Sequence, residues 1–169
     1  KEKIKILLLE GIHAAAVEVF RGSEYTLVET SDNALGEEEL LDVVRDVHIL
    51  GIRSKTRVTS AVLERARSLL AIGCFCIGTN TVELTEAAKR GVVVFNAPYS
   101  NTRSVAELTV AEIVMLSRRT FERSSQMHQG IWQKSAQGSF EVKGKTLGLS
   151  ATAISAARSG SWPRPSECA

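Results

Sequence analysis

The chain has 169 residues, 44% hydrophobic and 24% charged, with a net charge of +2: enough for one globular domain or one and a fraction. No basic run stands out and no apolar run reaches the length of a membrane span, so a nucleic-acid partner and a membrane partner are both excluded. Three Cys, two of them at Cys74 and Cys76, give neither a disulfide framework nor a zinc spacing, so we expect no metal and a reducing, cytoplasmic setting.

The N-terminus is charged and its first apolar run is short, which predicts no signal peptide; no Met opens the chain, so residues can be missing ahead of it. Ile4 to Leu9 reads as a strand followed by Gly11. Ala14 to Phe20 carries apolar residues at helical spacing, and Tyr25 to Val28 is a short second strand. Glu37 to Val44 is a helix with an acidic first turn, as the helix dipole favours. Val47 to Ile52 is a third strand. Thr59 or Ser60 can cap a helix running to about Ser68, and Leu69 to Ile72 is a fourth strand. Leu84 to Lys89 lies in a helix ended by Gly91, and Val92 to Phe95 is a fifth strand stopped by Asn96-Ala97-Pro98. Strands alternating with helices predict a parallel sheet covered on both faces.

The pattern then changes. Ser104 to Arg118 is one long helix with Val105, Leu108, Ala111, Val114 and Met115 on one face. A polar stretch with Trp132 follows, and Lys143 to Leu149 looks like a turn leading into a new buried strand. Residues 151–169 have no period and no apolar face, a composition that by itself reads as a disordered tail.

Few side chains announce chemistry. Arg53 follows a buried strand; its fork suits a carboxylate or phosphate, but alone it reads as a solvated loop residue. Gly78 alone is an ordinary turn glycine, and Asn101 a helix-start residue. His13 begins the first helix, His48 sits in a buried strand and His128 on the polar stretch, all poor catalytic candidates. Cys74 and Cys76 flank Phe75 and read as small buried side chains rather than redox or metal groups.

Three stretches in order carry a resemblance: Gly51-Ile52-Arg53-Ser54-Lys55-Thr56, then Ala71 to Asn80, then Val94 to Glu107. Together they resemble the D-isomer-specific 2-hydroxyacid dehydrogenases, without a gap from Ile4 to about Leu149. The resemblance implies an α/β fold: a flavodoxin-like, parallel-sheet substrate domain whose N-terminal part is residues 1–100, then the beginning of a truncated Rossmann NAD-binding domain over 101–150. It implies NAD as cofactor, a small phosphorylated 2-hydroxy acid as substrate, and a homo-oligomer when intact. It assigns substrate contacts to Arg53, Ser54 and Lys55, to the backbone of Ile77 and Gly78, and to Asn101. Lys55 stands where the family often has Arg, which leaves a point charge without a bidentate fork. Glu107 reads as structural. The family's catalytic His, its carboxylate partner and its substrate Arg belong to later sequence, so this chain is expected to hold no catalytic residue and to be inactive alone.

After Leu149 the family's glycine fingerprint should hold the cofactor's pyrophosphate, yet only Gly160 follows Gly148. Suppose one base was lost near Ser150. The original codons then begin at the third base of each codon now read, and residues 149–156 decode as Ile-Gly-Tyr-Gly-His-(Ile or Leu)-Gly. The positions after them decode as a helix ended by Gly. We therefore expect 151–169 to be an out-of-frame tail. Two other readings stay open: another 2-hydroxy acid such as glycerate or glyoxylate as substrate, and a non-catalytic phosphate-binding module.

Overall fold

The computed structural model describes residues 3–148; the expected out-of-frame tail lies outside them. Two compact units divide near Pro98. The first carries five strands: β1 (Lys5–Leu8), β2 (Leu27–Thr30), β3 (Ile49–Ile52), β4 (Ala71–Cys74) and β5 (Val93–Asn96). All pairings are parallel, in the order β2-β1-β3-β4-β5, the flavodoxin-like order expected.

Alternation along the strands sorts the side chains. Leu7, Leu50, Ile72 and Val94 are cross-strand neighbours. With Leu9, Ile52 and Cys74 they face a core completed by Leu40, Val44, Val58, Val62, Leu63 and Ala87. These last come from helices α2 (Glu37–Val43), α3 (Ser60–Arg65) and α4 (Leu84–Lys89) and the turns beside them. Burying each such aliphatic side chain contributes about 1.5–3 kcal/mol. Helix α1 (Ala14–Gly22) lies against β2. Not all of the other face is covered: Val93 and Phe95 are 51% and 62% exposed.

Local chemistry places the helix ends. Glu39 reaches back to accept from Gly36 N at 2.9 Å, and Thr59 Oγ1 accepts from Val62 N at 3.4 Å. Gly91 follows α4 with φ +73°. Several boundaries differ from expectation by one or two residues, and three of them have a visible cause. Tyr25 lies between α1 and β2 rather than in β2: its N–H donates back to Phe20 O and its ring meets Phe20 edge-on at 6.0 Å. Helix α3 stops at Arg65 because Ala66 takes ψ +67°. Leu69 still bonds back to Ala66 O, so β4 begins two residues later than expected.

The second unit holds α5 (Thr102–Ser117) and α6 (Thr120–His128), joined at Arg119 in the left-handed region. The polar stretch expected after α5 is helical from Thr120 to His128. It buries no residue and shows no apolar stripe, so it offered no period to read. Side chains fasten the segment after it: Arg119 donates to Gln137 O, and Arg123 to Ser135 O, each at 3.1 Å. The expected buried strand after Lys143 is not seen through Gly148; Leu147 is 46% exposed. A strand needs a neighbour's backbone, and no described residue of this unit forms one.

Gly51 and Gly73 are cross-strand partners beneath the Phe75 ring. A Cβ on Gly51 would lie 2.5 Å from Leu8 Cδ2, 3.0 Å from Ile12 Cδ1 and 3.2 Å from Phe75 Cε2. Gly51→Ala should therefore destabilise the first unit by about 1–3 kcal/mol. Urea unfolding followed by circular dichroism will read this as a lowered midpoint, and an unchanged midpoint would contradict the packing described.

Candidate functional site

In this strand order β1 lies between β2 and β3, which puts the topological switch point, where sheets of this kind bind ligands, at the carboxyl ends of β1 and β3. Two turns meet there. The first is Glu10-Gly11, with φ +62° and +61° in succession. Its backbone is pinned: Leu9 N donates to Gly51 O, Glu10 N to Asn33 O and Gly11 N to Ser31 O, at 2.9–3.1 Å. The turn aims the Glu10 side chain at the chain leaving β3.

That carboxylate is buried, 8% exposed. Oε1 accepts from Arg53 N at 3.0 Å and Thr56 N at 2.9 Å. Oε2 accepts from Ser54 N and Lys55 N, both at 3.0 Å. Burial opposes its ionisation, but the backbone donors of Thr56, Arg53 and Lys55 outweigh burial and hold its pKa below the ordinary 4.5. Four consecutive N–H groups are thus committed inward. What the turn offers outward is the side chains of Arg53, Ser54 and Lys55, all exposed. Arg53 Nη1 donates to Glu10 O at 3.4 Å, and no carboxylate among the described residues pairs with its guanidinium.

The loop after β4 divides its backbone in the opposite way. Ala97 N donates to Cys76 O at 3.0 Å, and Asn96 Nδ2 to Ile77 O at 2.8 Å. The Cys76 thiol lies 3.2 Å from both Arg53 O and Gly78 O; its one hydrogen serves either. Three successive carbonyls are held by the protein, whereas the N–H groups of Ile77 and Gly78 donate to no described group. Both residues are exposed. A Cβ on Gly78 would sit 2.6 Å from Asn80 Oδ1, so glycine lets that carboxamide lie against the loop. Val58 N donates to Thr81 O and Glu83 N to Val58 O, fastening the two loops again farther along.

Five expected contact residues are therefore brought to one end of the sheet: Arg53, Ser54, Lys55, Ile77 and Gly78. The sixth, Asn101, stands in the second unit as the exposed N-cap of α5, without a side-chain capping bond. Glu107 pairs with Arg103. His13 caps α1, accepting from Ala15 N at 3.1 Å. His48 precedes β3 rather than lying in a buried strand; it is half-buried, and its Nδ1 accepts from Lys5 N. His128 ends α6. Cys74 is buried, and burial first, then the neighbouring Cys76, pushes its thiol up to about 11. Cys76 departs from the expectation of a merely buried side chain: it is half-buried, with its thiol within reach of both loops. Among the described residues no three His, Cys, Asp or Glu side chains gather as a metal site.

Sequence reasoning missed Glu10 and Asn96. The signal for Glu10 was available: an acidic residue directly after the apolar run Ile6–Leu9 and before a glycine sits where a buried strand ends.

The family model for the D-isomer-specific 2-hydroxyacid dehydrogenase catalytic domain matches residues 6–160. D-3-phosphoglycerate dehydrogenase of Escherichia coli K12 is 52% identical over 149 residues, 88% of this chain and 36% of that protein. The Dictyostelium discoideum protein of that name is 53% identical over the same extent, and Saccharomyces cerevisiae D-3-phosphoglycerate dehydrogenase 1 is 53% identical over 146 residues, 86% of this chain and 31% of that protein. The chain thus spans about a third of the length of the curated relatives it matches. Apo D-lactate dehydrogenase from Escherichia coli shares the fold at TM-score 0.70 and 21% identity, covering 92% of this chain and 50% of that one. The TT0316 protein from Thermus thermophilus matches at TM-score 0.69 and 26% identity, covering 78% and 42%.

Because the folded state lowers the pKa of Glu10, its stabilising contribution is complete above 4.5 and is lost as pH falls through the lower folded value. Glu10→Gln replaces one acceptor oxygen by a donor amide and should cost on the order of 2–3 kcal/mol at neutral pH. Urea midpoints will show a gap between the two proteins at neutral pH that narrows on acidification below 4.5. A gap that stays constant or widens in acid would contradict the role given to the carboxylate.

Proposed function

This chain belongs to the D-isomer-specific 2-hydroxyacid dehydrogenase family, and from that membership we propose that the whole protein is a D-3-phosphoglycerate dehydrogenase. It oxidises D-3-phosphoglycerate to 3-phosphohydroxypyruvate with NAD, the first step of serine biosynthesis. The observation that carries this reading is a pair of complementary loops on one sheet end, one offering cationic side chains and the other free backbone donors, in a chain about half identical to proteins of that name.

Each local residue has a task suited to a doubly anionic substrate. The N–H groups of Ile77 and Gly78 take the carboxylate. Arg53 meets the anionic end with its fork, Lys55 adds a point charge, and Ser54 donates a hydrogen bond. Asn101 is assigned a further polar contact with the substrate. Bound NAD supplies the hydride acceptor; the residues that hold it, and those that take the hydroxyl proton, belong to sequence beyond the described part. Residues 151–169 are read as an out-of-frame continuation of the cofactor domain. The intact protein is a cytoplasmic homo-oligomer; among the described residues no helix is long and apolar enough to cross a membrane.

Two assays test this. The 169-residue chain should turn over no phosphohydroxypyruvate with NADH. Restoring one base near Ser150, with the downstream gene, should yield an NAD-dependent enzyme that prefers the phosphorylated substrate. In that enzyme Arg53→Ala should lower kcat/KM roughly ten- to a hundredfold, since a charge-assisted contact contributes about 1.5–3 kcal/mol. NADH affinity should change little. An Arg53→Ala enzyme with unchanged kcat/KM would remove Arg53 from the site, and a restored protein that binds no NADH would undo the frame assignment.

A further inference from the structure

We infer that Glu10 is a positioning residue for substrate recognition: its buried carboxylate folds Arg53–Thr56 into the turn that presents Arg53 to the substrate. This rests on the proposed contact between Arg53 and substrate and names the group that makes the contact possible.

The geometry is specific. An isolated four-residue turn at a strand end has many conformations, and ordering it costs roughly 1–2 kcal/mol per residue. Here all four of its N–H groups converge on two oxygens at 2.9–3.0 Å. Nothing else among the described residues accepts from them. The Glu10 main chain adds its carbonyl to the Arg53 guanidinium, so one residue fixes both the backbone and the side-chain base of Arg53. The left-handed φ at Glu10 and the bonds from Leu9, Glu10 and Gly11 to their neighbours make this anchor rigid.

A carboxylate beside an anion site would ordinarily repel the ligand. Here four backbone dipoles enclose it, and the side chains on the outside of the turn, Arg53 and Lys55, are cationic and exposed. A second contact supports the arrangement: the Cys76 thiol of the other loop lies 3.2 Å from Arg53 O.

A double-mutant cycle in the restored full-length enzyme tests this. Glu10→Gln should lower kcat/KM for the phosphorylated substrate about tenfold, mainly through KM, with the dissociation constant for NADH unchanged. On an Arg53→Ala background the same change should cost clearly less, about two- to threefold, because only the lesser contacts of Ser54 and Lys55 remain to be misplaced. Glu10→Asp keeps the charge and should recover at least threefold over Glu10→Gln. In the 169-residue chain, the amides of Ser54 and Lys55 should exchange slowly with solvent and lose that protection in Glu10→Gln. Equal fold losses from Glu10→Gln on both backgrounds, or unprotected amides in the unsubstituted chain, would overturn the positioning role while leaving Arg53 in the site. An Arg53→Ala enzyme with full activity would instead overturn the Arg53 contact, and this inference with it.

Discussion

The sheet end depends on a satisfied cluster of four backbone donors. Where β3 ends, the chain must turn away from the sheet, and its N–H groups lose their ladder partners. Leaving such groups buried and unpaired costs about 1–3 kcal/mol each. Glu10 takes all four. In exchange, its own charge is stabilised enough to outweigh burial, which is why its pKa falls although it is nearly inaccessible. The strand order makes this possible, since only adjacent parallel strands such as β1 and β3 end side by side.

Satisfying one loop inward and the next outward gives this sheet end its polarity. Around 53–56 the donors point in and cationic side chains point out. Around 76–78 the carbonyls are held, by Ala97, Asn96 and Cys76, and the donors remain available. An anion with two charged ends is the ligand that this division suits, and an apolar or cationic one is not. The Cys76 thiol lies 3.2 Å from Arg53 O on one loop and Gly78 O on its own, so its one hydrogen either bridges the two loops or closes the second.

Much of this was legible in the residues, and the part that was not has physical causes. Alternating apolar runs such as Ile6–Leu9 and Leu50–Ile52 reveal parallel strands because both faces of the first unit's central strands are filled, and Gly91 marks a helix end through its left-handed φ. Arg53 and Gly78 were legible only through resemblance, since nothing in a lone Arg or Gly distinguishes a site from a loop. Glu10 is marked locally only as an acidic residue closing the apolar run Ile6–Leu9; its partners lie 43 to 46 positions away, and no local pattern names them. Helix α6 has a different cause: its only large apolar residues, Phe121 and Met127, stand six positions apart, which marks no helical stripe. The strand expected after Lys143 rests on a turn pattern and on the family resemblance, whereas a strand also needs a neighbour, and the described residues of the second unit supply none.

The proposal joins two parts: a sheet end organised by a buried carboxylate, and a phosphorylated hydroxy acid as the ligand assigned to it. The most direct measurement is a crystal structure of the restored full-length protein with D-3-phosphoglycerate and NAD. The account predicts the substrate carboxylate within hydrogen-bond distance of the Ile77 and Gly78 amides, the Arg53 guanidinium against an anionic group, and all four bonds to Glu10 intact. A substrate bound elsewhere with these two loops untouched, or bound here with Glu10 turned away from the Arg53–Thr56 amides, would contradict it.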